Sequence, residues 1–238
     1  KDFMSKLNAT AIIAARANSK GIKDKNLQYI DKKNLVQISI EQGLRTCNTV
    51  ILSSDSKEIN EIGRNYKGVF VIERNLELAK DETPKLPVLR NAIELYEEEV
   101  GECSEIIFDL QPTSPFRKDD SILKSYDLFR KYDNASNLIS VSSTSFHPSY
   151  NLLEFTKDNE VELLNKISEP ITGRNLMPET YKMDGCIFIW RKEILMMNLE
   201  NRVILNNTIG FRVSDIESLD IDTQEDLDYA RYVSEKLL

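Results

Sequence analysis

Histidine is almost absent from this chain. His147 is the only one in 238 residues, and it falls in a stretch without regular patterning. No Ser/His/Asp or Cys/His nucleophile arrangement is recognisable, so histidine-based acid–base chemistry is not expected. Cysteine is scarce too: Cys47, Cys103 and Cys186 are odd in number and widely spaced. They form neither a zinc spacing nor a disulfide framework, and read as buried thiols of a reducing, cytoplasmic compartment. Neither G-x-x-x-x-G-K-[ST] nor G-x-G-x-x-G occurs, which removes the two common glycine-rich phosphate loops. No apolar run approaches the roughly 18 residues of a membrane span. No cationic segment followed by an apolar one reads as a secretory leader. Positive charge is in deficit, 31 Lys and Arg against 39 Asp and Glu, for a net charge of −8. That balance argues against general nucleic-acid binding.

What is present is an alternation of short apolar runs with helical patterns. Length allows one large domain, or one domain with a small appendage. Strands are expected at Thr10–Ala14, Thr49–Ser53, Val69–Ile72, Ile106–Leu110, Leu138–Val141, Cys186–Trp190 and Ile209–Val213. Asp55 with Glu58 resembles a capping box and opens a helix carrying Ile59, Ile62 and Tyr66. A second apolar stripe, Leu89, Ala92, Ile93, Tyr96 and Val100, follows Pro87, and a third comprises Ile122, Leu123, Tyr126 and Phe129. A last helix starts at Thr223, with Asp226 three residues on. The expected fold is α/β: a mostly parallel sheet with helices on both faces. The rhythm breaks from about Thr144 to Met183, where Pro148, Pro170, Gly173 and Pro178 interrupt short extended pieces. This segment, 144–183, is expected to be an inserted arm, with 1–143 and 184–238 forming the α/β domain.

Three features carry candidate chemistry. Arg16, Lys20 and Lys25 sit on the loop after the first strand, with Gly21 among them. They lie at the carboxyl edge, where open α/β sheets bind ligands, and such a loop can wrap a polyphosphate. Cations clustered against an acidic background strengthen that reading. Asp220 and Asp222, in S-L-D-I-D-T, project to one side if the backbone is extended. Two hard oxygen ligands suit Mg²⁺, which takes few carboxylates plus phosphate oxygens and water. Gln111 emerges from the fourth strand into Q-P-T-S-P-F-R, a loop stiffened by two prolines, and offers a donor and an acceptor to a nucleoside or sugar. Arg74 can reach a ligand at the same edge, and Asp81 can lie on the loop that follows. Lys85 reads as surface charge.

Together the motifs resemble the CMP-nonulosonic acid synthetases, the cytidylyltransferases that activate sialic and legionaminic acids. The resemblance rests on A-A-R-A-N-S-K-G-I-K-D-K-N-L at 14–27, S-S-D-S at 53–56 and E-R-N-L-E-L-A at 73–79. It continues in L-Q-P-T-S-P-F-R at 110–117, M-D-G-C-I-F-I at 183–189 and S-L-D-I-D-T at 218–223. It implies a three-layer, Rossmann-like nucleotidyltransferase fold, dependence on Mg²⁺ or Mn²⁺, and a homodimer built through the arm. It implies that Arg16, Ser19, Lys20, Lys25, Asn26, Arg74 and Gln111 hold CTP, and that Gln111, Arg174, Lys182, Asp184 and Phe188 meet the sugar acid. Lys20, Arg16 and Asp222 take the catalytic roles, and Asp220 and Asp222 hold the metal. No nucleic acid or membrane partner is implied. Asp184 departs from the usual Asn, Tyr150 stands where a lysine often follows His-Pro, and Thr83–Val88 is similar to the legionaminic-acid enzymes. A cytidylyltransferase for an eight-carbon acid of the Kdo type, or a silent sugar-nucleotide-binding protein of the same fold, remains as an alternative.

Overall fold

Ala9 to Ile13 are buried without a break, as expected of a strand covered on both faces. They form the centre of β1 (Leu7–Ala14) in a computed structural model that describes residues 6–17, 21–80, 82–169 and 171–237. The chain continues through a small hairpin, β2 (Tyr29–Ile30) and β3 (Lys33–Asn34), into α1 (Leu35–Thr46) and β4 (Cys47–Ser54). Then come α2 (Lys57–Arg64), β5 (Val69–Glu73), α3 (Lys85–Glu99), β6 (Ile106–Asp109), α4 (Asp119–Arg130) and β7 (Asn137–Thr144). A two-stranded hairpin follows, β8 (Leu153–Phe155) with β9 (Val161–Leu163). The chain closes with β10 (Thr180–Arg191), α5 (Lys192–Met197), β11 (Thr208–Arg212) and α6 (Gln224–Leu237).

Seven of these strands form one sheet in the order β11-β7-β10-β6-β1-β4-β5. Every pairing is parallel except those of β10, which runs antiparallel to β6 and to β7. Alternation along β1 separates two cores. Ala11 and Ile13 pack with Ile40 of α1, Ile59 of α2 and Phe129 of α4, while Ile12 packs on the other face with Leu89 and Ile93 of α3 and Leu195 of α5. Each of the isoleucine, leucine and phenylalanine side chains among them contributes about 1.5–3 kcal/mol on burial. A third cluster fastens α6, through Leu227, Ala230 and Val233, to Leu35, Phe116 and Ile221. It positions the acidic segment just before that helix.

The expected strands are all present, and α6 starts as read: Asp226 Oδ2 accepts from the Thr223 N–H at 2.8 Å, and the Asp226 N–H reaches the Thr223 hydroxyl. Other details differ. The cap of α2 is Ser56, whose hydroxyl accepts from the Ile59 N–H, because Asp55 is engaged elsewhere. Helix α3 begins at Lys85, so Pro87 lies inside its first turn, where a missing N–H costs no helical bond. Helices α1 and α5 carried no recognised signal. Within 144–183, the residues from Thr180 on already belong to the sheet, with Thr180 opposite Thr144 and Met183 opposite Val141. The register then shifts between Met183 and Phe188, and Gly185 there has a φ of 78°, a left-handed conformation that glycine takes without steric cost.

Candidate active site

The ends of β1, β4 and β5 converge because their parallel registers align them. After β1, the Ala15 N–H donates to the Ser53 carbonyl at 3.0 Å, and the Ala17 N–H donates to Asp55 Oδ1 at 2.8 Å. Asn26, buried in a single turn of 3-10 helix, donates from its amide to the Arg16 carbonyl at 3.0 Å, folding the cationic loop back on itself. After β5, Arg74 packs over Ser53, with Nε 3.2 Å from its hydroxyl and Nη2 2.6 Å from its carbonyl oxygen. Burial, with Arg16 nearby and Asp55 opposing, lowers the Arg74 pKa to about 10. Arg16, Lys25, Asn26, Arg74, Lys85 and Gln111 all line one cavity of about 300 Å³. Five of these six are residues expected from the sequence to meet the nucleotide. Ser19, Lys20 and Asp81 lie outside the described residues.

Gln111 is held through its backbone carbonyl by Arg117, a residue with no role among those expected above. Arg117 is buried, and its guanidinium donates to three oxygens: Cys186 O from Nε at 2.5 Å, Gln42 Oε1 from Nη1 at 2.7 Å and Gln111 O from Nη2 at 2.7 Å. It therefore ties the loop after β6 to the irregular part of β10 and to α1. The detectable signal was an arginine closing a proline-stiffened loop. Lys85 corrects an expectation. It is not free surface charge, because its ammonium pairs with buried Asp109 Oδ2 at 2.8 Å. Asp109, a carboxylate in the otherwise apolar run I-I-F-D-L, was the available sign that a cation must approach, since buried acids are rare unless paired.

The acidic segment lies across the cleft. The Ile221 N–H donates to the Thr113 carbonyl at 2.9 Å, and Ile221 is fully buried between the two aspartates. Lys25 Nζ reaches Asp222 Oδ1 at 2.8 Å, so the cationic loop and the acidic segment touch. The aspartates are unlike each other. The Asp222 side chain is 70% exposed, whereas Asp220 Oδ1 is buried with no hydrogen-bond partner among the described residues. Burial, with Asp222 adding to it, raises the Asp220 pKa against the pull of Thr113, Lys25 and Lys85. An orphaned carboxylate oxygen beside a second carboxylate is what a hard cation relieves, so the pair fits Mg²⁺ chemistry. No group of three or more His, Cys, Asp or Glu that could hold a metal is present among the described residues.

The expected sugar-side residues divide. Phe188 lies in the inner core and lines a second cavity that shares Gln111 and Lys85 with the first. Asp184 is buried; its Oδ1 accepts from the Ser140 hydroxyl and from the Cys186 N–H at 3.0 Å, supporting the turn at Gly185. Lys182 is exposed and shares a shallow depression with Asp184 and Asp220. Arg174 opens a short 3-10 turn, Arg174–Leu176, and its side chain lies outside what is described. All three cysteines are free and buried, and burial pushes the Cys47 and Cys186 thiols up to about 12 and that of Cys103 to about 11. No described helix is long and apolar enough to cross a membrane.

A mostly parallel sheet with a cationic cleft at its carboxyl edge is the architecture of an α/β nucleotidyltransferase. The chain belongs to the cytidylyltransferase family, whose sequence profile matches residues 10–237. The chain is 33% identical over 219 residues to the CMP-N,N'-diacetyllegionaminic acid synthase of Campylobacter jejuni subsp. jejuni, covering 91% of this chain and 90% of that protein. It is 31% identical over 224 residues to post-translational flagellin modification protein B of Campylobacter coli, covering 93% and 92%. Among solved structures, CMP:2-keto-3-deoxy-manno-octonic acid synthetase complexed with CTP superposes with a TM-score of 0.70 at 16% identity, over 98% of this chain and all of that one. That last likeness shows the fold.

Proposed function

We propose that this cytidylyltransferase activates a nine-carbon 2-keto sugar acid of the sialic or legionaminic type, converting CTP and the sugar acid to the CMP-sugar and pyrophosphate. The supporting observation is the convergence of Arg16, Lys25, Asn26, Arg74 and Gln111 on one cavity whose rim meets the Asp220–Asp222 segment. The anomeric hydroxyl attacks the α-phosphorus in line, and the bond from that phosphorus to the bridging oxygen breaks. Pyrophosphate leaves with the electron pair. Positioning and charge stabilisation dominate such a transfer. Arg16, Lys20 and Lys25 hold the phosphates, with Ser19 beside them, and Asn26, Arg74 and Gln111 orient the nucleoside and sugar. Asp222 assists removal of the hydroxyl proton at its carboxylate, which Lys25 keeps in place. Asp220 and Asp222 would hold Mg²⁺ or Mn²⁺, which supplies neutralisation of phosphate charge and acidifies the attacking hydroxyl.

The sugar carboxylate meets Arg174 and Lys182. The enzyme acts as a homodimer in which the arm at 144–183 packs on a second copy; exposed Leu153, Phe155 and Val161 on the β8–β9 hairpin support this. Its free thiols suit a reducing, cytoplasmic setting. The test is pyrophosphate release with CTP, ATP, GTP or UTP against sialic, legionaminic, pseudaminic and Kdo acids. At least tenfold preference for CTP, with turnover of a nine-carbon acid, is the expected result. Equal use of UTP, or turnover of the Kdo acid alone, contradicts the proposal.

A further inference from the structure

The second cavity, of about 270 Å³, adjoins the nucleotide cleft and shares Lys85 and Gln111 with it. Leu86, Phe188, Trp190 and Val203 give it apolar walls. Its polar lining comes from Lys85, Asp109, Gln111 and Asn201, whose Oδ1 already accepts from Arg90, and is incompletely matched. Lys85 Nζ donates to Asp109 Oδ2 at 2.8 Å, leaving two ammonium protons for other partners. Asp109 is only 2% exposed, and its Oδ1 has no hydrogen-bond partner among the described residues; neither has the buried indole N–H of Trp190. Burial lowers the Lys85 pKa, and Asp109 counters it. A buried carboxylate oxygen left unmet is costly, and native proteins keep such atoms mainly where a ligand or water meets them.

The chemistry of an occupant follows from this inventory. The ion pair is neutral overall, so an ammonium or a second carboxylate entering the cavity brings an unbalanced charge into a poorly hydrated space. A hydroxyl can bridge Lys85 and Asp109 but leaves the aromatic and aliphatic walls without a partner. A secondary amide meets every requirement: an N–H for Asp109, a carbonyl for a cationic or indole donor, and an alkyl end for the walls. We infer that Lys85 and Asp109 are specificity-determining residues for the acceptor, reading a neutral secondary-amide substituent through their balanced pair of charges. The inference rests on the sugar-acid reading above and adds residues to it: one was expected to be surface charge and the other was given no role.

The test compares three acceptors that differ at one substituent, acetamido, hydroxyl or free amine, by kcat/KM for pyrophosphate release at saturating CTP. The wild type is expected to favour acetamido over each of the others at least tenfold. The variants separate charge from shape. Lys85→Met leaves Asp109 unbalanced, so the amine should gain at least tenfold relative to acetamido. Asp109→Asn leaves Lys85 unbalanced, so the amine should lose ground further. Damage to the fold alone would depress all three acceptors together, and CTP binding by calorimetry reports whether Asp109→Asn is folded. Lys85 stands half-buried at a helix start, so Lys85→Met decides the matter by itself if Asp109→Asn does not fold. An acetamido-to-amine ratio within twofold of wild type in the folded variants overturns the assignment of the pair. No turnover of any sugar acid by the wild type overturns the functional reading beneath it.

Discussion

Gly21→Ala tests whether the cationic loop must lie against the acidic segment. A Cβ at Gly21 would overlap the backbone carbonyl oxygen of Asp222, far inside the 3.0 Å that real Cβ atoms keep. The obstacle is backbone, anchored by Ile221 in the third core cluster, so it does not yield as a flexible side chain would. The loop must instead retreat by roughly 1 Å, and a misplacement of that size costs about 10²-fold in rate when reacting groups are pre-positioned. Lys25, which reaches Asp222 across this contact, moves with the loop. Steady-state pyrophosphate release with CTP and a competent sugar acid should therefore show kcat/KM reduced about 100-fold. The melting temperature should fall modestly, because neighbouring Ile22 sits in the third core cluster and shifts with the loop. Gly210→Ala is the control, since a Cβ there meets only Val141 Cγ2, at 3.7 Å. Activity of Gly21→Ala within twofold of wild type would refute the idea that this contact sets the site.

Lys20→Ala should lower kcat by roughly 10²–10³-fold, the loss typical of one charge-stabilising donor, without unfolding the protein; near-normal turnover in a folded variant removes Lys20 from the mechanism. Arg117→Met strands three neutral oxygens, those of Gln111, Cys186 and Gln42, and should cost about 3 kcal/mol or more in urea unfolding, since each buried acceptor left unmet costs about 1–3 kcal/mol. A loss under 1 kcal/mol contradicts its tying role. Glu217 is a pH probe of the fold. Burial alone would raise its pKa, but the hydroxyls of Ser121 and Ser214, with Lys118 nearby, hold it below 4.5. Its contribution is therefore full above 4.5 and fades as pH falls through the lower folded value. Glu217→Gln should destabilise by about 1–3 kcal/mol at pH 7, and the gap from wild type should close in acid. A gap independent of pH denies the linkage.

The strands were legible because each is a nearly continuous apolar run, and α6 because Thr223 and Asp226 form a reciprocal cap. Helix α1 went unread although Asn34 and Gln37 make a capping box; Ser39, Gln42 and Thr46 are buried polar residues on the helix that blur its apolar stripe. Asp55 misled because the same carboxylate can cap a helix or hold the Ala17 N–H, and only tertiary structure chooses between them. The described cations that line the cleft, and the aspartates beside it, were legible as candidates because they cluster in short motifs at strand ends. Arg117 and the Lys85–Asp109 pair left only indirect signs, an arginine closing a proline-stiffened loop and an acid inside an apolar run. Their partners are backbone carbonyls or side chains distant in sequence, so local pattern could not say which groups they would meet.

In the proposed reaction the anomeric oxygen of a sugar acid attacks the α-phosphorus of CTP. A sugar acid labelled with ¹⁸O at that hydroxyl, incubated with enzyme, CTP and Mg²⁺, tests it by mass spectrometry of the nucleotide product. The expected product is a CMP-sugar that retains the label in the bridge between sugar and phosphate, with unlabelled pyrophosphate released. Loss of the label to water, or formation of no CMP-sugar from any nine-carbon acid, would contradict it.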